Sequence, residues 1–120
     1  MAKVLVVDDE RENIEILLRC LGQKGHPGLG AGSAEDAARE LAKGEFDLVL
    51  LDQVLPDTTG MQALPRLRAL THASIYMMSG YCDDETRRDA QLLGANGFLP
   101  KPIELEALFA AIAALPERSA

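Results

Sequence analysis

The sequence predicts an α/β fold, a doubly wound sheet of five parallel strands alternating with five helices. Three observations carry this. Val4-Leu5-Val6-Val7 and Leu48-Val49-Leu50-Leu51 are apolar at every position, the pattern of strands buried on both faces in parallel sheets. Stretches between such runs carry apolar residues at helical spacing. The alternation repeats five times along the chain, which is the signature of consecutive βαβ units. At 120 residues the chain is expected to be one domain, residues 1–120, with a core over 3–115 and a short polar tail over 116–120.

The first strand, Val4–Val7, runs directly into Asp8-Asp9-Glu10. Ile14, Leu17, Leu18 and Leu21 then fall at i, i+3, i+4 and i+7, one face of a helix expected to end at Gly22 and Gly25. Residues 26–32 hold Pro27, Gly28 and Gly30. Pro and Gly oppose a central strand and are tolerated at an edge, so a short, frayed edge strand is expected. A phosphate-cradling glycine loop is the alternative, but neither GxGxxG nor Walker spacing is present. Ser33 is placed to cap a second helix that carries Ala34, Ala37, Ala38 and Leu41 and closes at Gly44.

The third strand ends in Asp52, and Pro56 and Gly60 mark the loop after it. The third helix carries Met61, Leu64, Leu67 and Leu70. Pro65 within it predicts a late start or a kink. Ile75-Tyr76-Met77-Met78 is the fourth strand, ending at Ser79-Gly80. The helix over roughly 83–93 is mostly polar, anchored by Ala90, Leu92 and Leu93, and a poorly anchored helix shifts cheaply. Gly97-Phe98-Leu99 is a fifth strand, followed by Pro100-Lys101-Pro102. The last helix shows Leu105, Leu108, Phe109 and Ile112 and stops before Pro116.

Totals narrow the function. With 19 acids against 12 bases and a net charge of −7, the chain disfavours direct nucleic-acid binding and adhesion to an anionic membrane. Cys20 and Cys82 form no CxxC and read as reduced thiols. The opening residues hold no signal-peptide core or membrane span, so a cytoplasmic location is expected.

Polar residues follow four of the strands: Asp8 and Asp9 the first, Asp52 the third, Ser79 the fourth and Lys101 the fifth. A parallel sheet puts all its carboxyl ends on one edge, where open α/β sheets bind ligands. These side chains can therefore share one pocket. Carboxylates crowded together repel, and a hard divalent cation such as Mg2+ relieves this with oxygen ligands. Lys101 and Ser79 complete a clamp for a phosphoryl group, with Asp52 as the nucleophile. Singly, Asp8-Asp9 reads as a helix cap, Ser79 as a turn residue and Lys101 as a solvated lysine. Their shared position at the strand ends outweighs those readings.

The ordered set Val-Val-Asp8-Asp9-Glu10, Leu-Leu-Asp52-x-x-Leu-Pro56-x-x-x-Gly60, Met-Ser79-Gly80 and Gly94-Ala-Asn-Gly-Phe98-Leu-Pro-Lys101-Pro102 resembles the receiver domain of two-component response regulators, from Val4 to about Leu115. The resemblance implies a flavodoxin-like sheet in the order 2-1-3-4-5, an example that the general switch-point rule itself names. It implies that Asp52 is the phosphoacceptor and that Asp9, Asp8, Asp52 and the Val54 backbone carbonyl hold Mg2+, Asp8 largely through water. It implies that Lys101 pairs with the phosphoryl group, that the Lys101-Pro102 bond is cis, and that Ser79 and Phe98 are the switch pair. Implied partners are a histidine kinase or histidine phosphotransfer protein and a downstream effector; a homodimer is compatible. Self-phosphorylation and slow autodephosphorylation are expected rather than conventional turnover.

The chain departs from the family pattern at Leu55, where Met is usual, at Phe98, where Tyr is common, and in its glycine-rich second strand. Val54 and Tyr81, two beyond Asp52 and Ser79, hold the positions that tune acyl-phosphate hydrolysis in the family, and an apolar branch and a large ring there predict slow decay. A haloacid-dehalogenase-like phosphatase is the enzyme alternative, but it needs an acid where Val54 stands. A flavin-binding module would have its phosphate repelled by Asp8-Asp9-Glu10. A degenerate receiver acting only as an interaction module is the third alternative.

Overall fold

The computed structural model describes residues 1–80 and 83–116. Elements alternate without exception: β1 (Val4–Val7), α1 (Arg11–Gln23), β2 (Gly28–Ala31), α2 (Ala34–Lys43), β3 (Leu48–Asp52), α3 (Gly60–Leu70), β4 (Ser74–Ser79), α4 (Asp84–Leu93), β5 (Gly97–Pro100) and α5 (Leu105–Ala113). The strands form one parallel sheet in the order β2-β1-β3-β4-β5. No helix among the described residues is long and apolar enough to cross a membrane.

Strand alternation splits the core in two. Leu5, Val7, Val49, Leu51, Ile75 and Met77 point to one face and pack with α2 and α3 residues such as Ala37, Leu41, Leu64 and Leu67. Val4, Val6, Leu48, Leu50 and Met78 point to the other, against Leu17 and Leu21 of α1 and Leu108 of α5. Both faces being covered explains why β1 and β3 are apolar at every position.

The glycine-rich second strand is a short edge strand, as expected, but it is not frayed: all four of its residues pair in register with β1. Its glycines have a packing cause. A Cβ on Gly28 would lie 2.6 Å from Leu18 Cδ2, and one on Gly30 would run into Ile14 Cγ2. Helix α1 therefore packs close to this edge, and a side chain at Gly28 or Gly30 would make Leu18 or Ile14 shift.

One further expectation needs correction. Helix α3 does not start late: it begins at Gly60 and runs through Pro65. Thr59 and Gln62 form a reciprocal capping box, and the Gln53 side chain accepts from the Met61 N–H at 3.0 Å. These contacts hold the first turn ahead of the proline. Helix α1 ends as expected between Gly22 and Gly25: Gln23 is its last residue, and Gly25 (φ 80°) makes the turn. A positive φ costs a glycine nothing.

Candidate functional site

The carboxyl edge of the sheet carries the site. Asp8 follows β1 and is 1% exposed; Asp52 ends β3 and is 4% exposed. Asp8 does not cap α1. The residue at that helix's N-cap is Glu10, without a side-chain cap, while Asp8 Oδ1 accepts from the Glu10 N–H at 3.0 Å. That bond turns the chain so that Asp8, Asp9 and Glu10 bring carboxylate oxygens within 4.8 Å of one another. Sequence reading passed over Glu10 as a member of this cluster, although it is the third of three consecutive acids.

Asp52 joins the acids through Lys101. Lys101 Nζ lies 2.7 Å from Asp52 Oδ2 and 3.5 Å from Asp8 Oδ2. Lys101 is held by its own backbone, whose N–H donates to the Ser79 carbonyl at 2.9 Å, and the Lys101-Pro102 peptide bond is cis. Ser79 is the last residue of β4 and half-buried. Asp52 Oδ1 accepts from the Val54 N–H at 3.3 Å, so the carboxylate that faces the pocket also holds the start of the loop.

Burial pushes the Asp52 carboxyl above its ordinary pKa; the Lys101 hydrogen bond opposes this without cancelling it. Burial pulls the Lys101 ammonium down, but its bond and attraction to Asp52, then Asp8, outweigh that and leave its pKa raised. Two buried carboxylates and one partly exposed lysine leave negative charge uncompensated. A hard divalent cation with oxygen ligands fits that donor set.

The pocket above them measures about 710 Å3, and Asp9, Asp52, Val54, Ser79, Phe98 and Lys101 are among its lining residues. Val54 is 67% exposed. Phe98 is half-buried, and the Arg87 guanidinium of α4 lies 5.2 Å from its ring centroid. Tyr81 and Cys82 lie outside the described residues; Cys20 is a free thiol. Asp8, Asp9, Asp52, Ser79 and Lys101 thus meet at one edge.

The model of the response regulator receiver domain matches residues 4–113. The chain belongs to that family. Among similar proteins, the receiver is 34% identical over 119 residues to the transcriptional regulatory protein CpxR of Escherichia coli, covering 99% of this chain and 51% of CpxR. It thus spans about half of that relative's length. The chemotaxis protein CheY4 of Vibrio cholerae superposes with a TM-score of 0.89 at 26% identity, covering 97% of this chain and 99% of that one. A response regulator from Burkholderia pseudomallei, solved with a phosphorylated aspartic acid, a calcium ion and citrate, superposes at 0.86 with 27% identity, covering 92% of this chain and 66% of that one. This chain is therefore a receiver domain of the two-component response regulators.

Proposed function

We propose that Asp52 of this receiver accepts a phosphoryl group, in the presence of Mg2+, from a histidine kinase or histidine phosphotransfer protein. The observation that carries this is the buried Asp52 carboxylate 2.7 Å from Lys101 Nζ, with Asp8 Oδ2 3.5 Å from the same ammonium. Asp9, Asp8, Asp52 and the Val54 carbonyl would hold the cation; Glu10 stands close enough to take part. Bound Mg2+ supplies positive charge that offsets burial of the acids and polarises the phosphoryl oxygens.

An Asp52 carboxylate oxygen attacks phosphorus. The bond from phosphorus to the donor breaks, the leaving group keeps its electron pair and takes a proton from water, and an acyl phosphate remains. Lys101 moves its pairing from the carboxylate to the phosphoryl oxygens, and the Ser79 hydroxyl donates to them. Drawing Ser79 inward opens space for Phe98 behind it, and the face of α4, β5 and α5 changes for the downstream effector or a second copy. Direct nucleic-acid binding is not part of this reading, the cytoplasm is its site of action, and the chain's only chemistry is its own phosphorylation and slow dephosphorylation. Val54 stands exposed beside Asp52 and would hinder the attacking water.

The test is intact mass after incubation with Mg2+ and acetyl phosphate. The wild type is expected to gain one phosphoryl group, Asp52→Asn none, and Val54→Asn a group that decays faster. No gain by the wild type, together with no beryllofluoride binding, would leave an interaction module in its place.

A further inference from the structure

The loop after Asp52 is fastened to a helix far away in the chain. Asp57, at its tip, accepts from the Ala34 N–H at 3.1 Å with Oδ1 and from the Glu35 N–H at 3.1 Å with Oδ2. These are the first two amides of α2, and no residue of that helix can reach them. The third, that of Asp36, already donates to Ser33 Oγ at 3.0 Å. Helix α2 therefore has a cap of its own, and Asp57 takes the remaining donors with both oxygens of one carboxylate. Those two bonds hold the Asp57 carboxyl below its ordinary pKa.

The loop itself is a small closed unit. Val54 bridges Thr59, the Leu55 N–H donates to the Thr58 carbonyl at 3.2 Å, and the Gly60 N–H donates to the Gln53 carbonyl at 2.8 Å. Its base is fastened to α3 through the Gln53 side chain. With the base held by α3 and the tip by α2, Val54 is suspended between two rigid supports. A second tie between α2 and α3, Arg66 Nη1 to Glu35 Oε2 at 2.8 Å, is solvent-exposed and contributes little.

We propose that Asp57 is a positioning residue for the cation site: by docking the loop tip onto the amino end of α2, it aims the Val54 backbone carbonyl at the cation. The inference rests on the reading above, in which that carbonyl is a ligand. It assigns to α2, which carries no ligand, a part in metal affinity. Residues that orient a metal's ligands commonly change affinity by about tenfold or more when removed.

The experiment is Mg2+ titration of the unphosphorylated protein by calorimetry, for wild type, Asp57→Ala, Asp57→Asn and Ser33→Ala. Expected is a dissociation constant raised about tenfold in Asp57→Ala and partly restored in Asp57→Asn, which keeps one acceptor oxygen. Ser33→Ala should lower the thermal midpoint while leaving Mg2+ affinity unchanged, which separates positioning from helix stability. Wild-type affinity in a folded Asp57→Ala or Asp57→Asn would overturn the inference while leaving Asp52 as phosphoacceptor. Equal loss of affinity in Ser33→Ala would overturn it too, since helix stability would then be the cause. Absence of Mg2+ binding by the wild type would overturn the underlying reading and this inference with it.

Discussion

Helices α2 and α4 have the same length, ten residues each, and both have a side-chain N-cap, Ser33 and Asp83. They are fixed to the molecule in different ways. Helix α2 buries Ala34, Ala37, Ala38 and Leu41 against the sheet, and its amino end, on the side of the site, is gripped by Asp57. Helix α4 buries only Ala90 among its described residues, and Leu92 is 86% exposed. Its grip is at the carboxyl end, away from the site. There Gly94 turns with φ 114°, and Arg68 Nη1 donates to the Gly94 carbonyl at 3.1 Å and to Asn96 Oδ1 at 3.0 Å. Caps make a helix, whereas burial decides where it sits. One helix is pinned beside the pocket; the other is tied at the far end and buries little. The proposed switch would use this asymmetry, because the supports of the site would stay still while the α4 face responds.

The comparison is broken most directly at Leu41 and Leu92. Leu41→Ala removes a buried side chain and should cost about 2–4 kcal/mol in urea unfolding. Leu92→Ala should change stability by less than about 0.5 kcal/mol. Amide exchange under native conditions should be slower in α2 than in α4; equal protection would erase the distinction.

A smaller effect is expected at Asp52. Burial raises its carboxyl pKa in the folded state, so the fold favours the protonated form. That stability is fully present below the unfolded-state pKa and is lost as pH rises through the folded-state value. Asp52→Asn, neutral at every pH, should therefore melt a few degrees above wild type at about pH 7 without divalent cations, and the gap should close towards about pH 4. Thermal melts across that range with a chelator decide it; a lower midpoint for the variant at neutral pH would show that Lys101 overcompensates the burial.

A further small effect sharpens the description of α4. Arg87→Ala removes a cation–π contact at an exposed site and should cost about 0.5 kcal/mol. If that contact holds Phe98 outward, beryllofluoride should bind the variant more tightly than wild type, read by NMR titration. Unchanged binding would confine Arg87 to the surface.

Much of this was legible without coordinates. Val4–Val7 and Leu48–Leu51 announce central parallel strands because only residues covered on both faces can be apolar at every position. Once the strands are parallel, geometry brings Asp8, Asp9, Asp52, Ser79 and Lys101 to one edge, so the site followed from strand order and polarity alone. The late start expected from Pro65 did not occur because local proline chemistry was weighed without the Thr59–Gln62 box and the Gln53 side chain ahead of it.

The sequence by itself determined the alternation of strands and helices, the sheet's carboxyl edge as the candidate site, and the residues that meet there. Only the tertiary structure decided why β2 is glycine-rich, since Leu18 and Ile14 press on it from α1. It alone paired Lys101 with Asp52 across 49 residues, brought Glu10 beside Asp8 and Asp9, and set Asp57 on an amino end 23 residues away. The division has one physical cause. Periodicity and propensity are local and leave a mark at fixed spacing, whereas contacts between elements depend on how closely those elements pack, which no single stretch of sequence records.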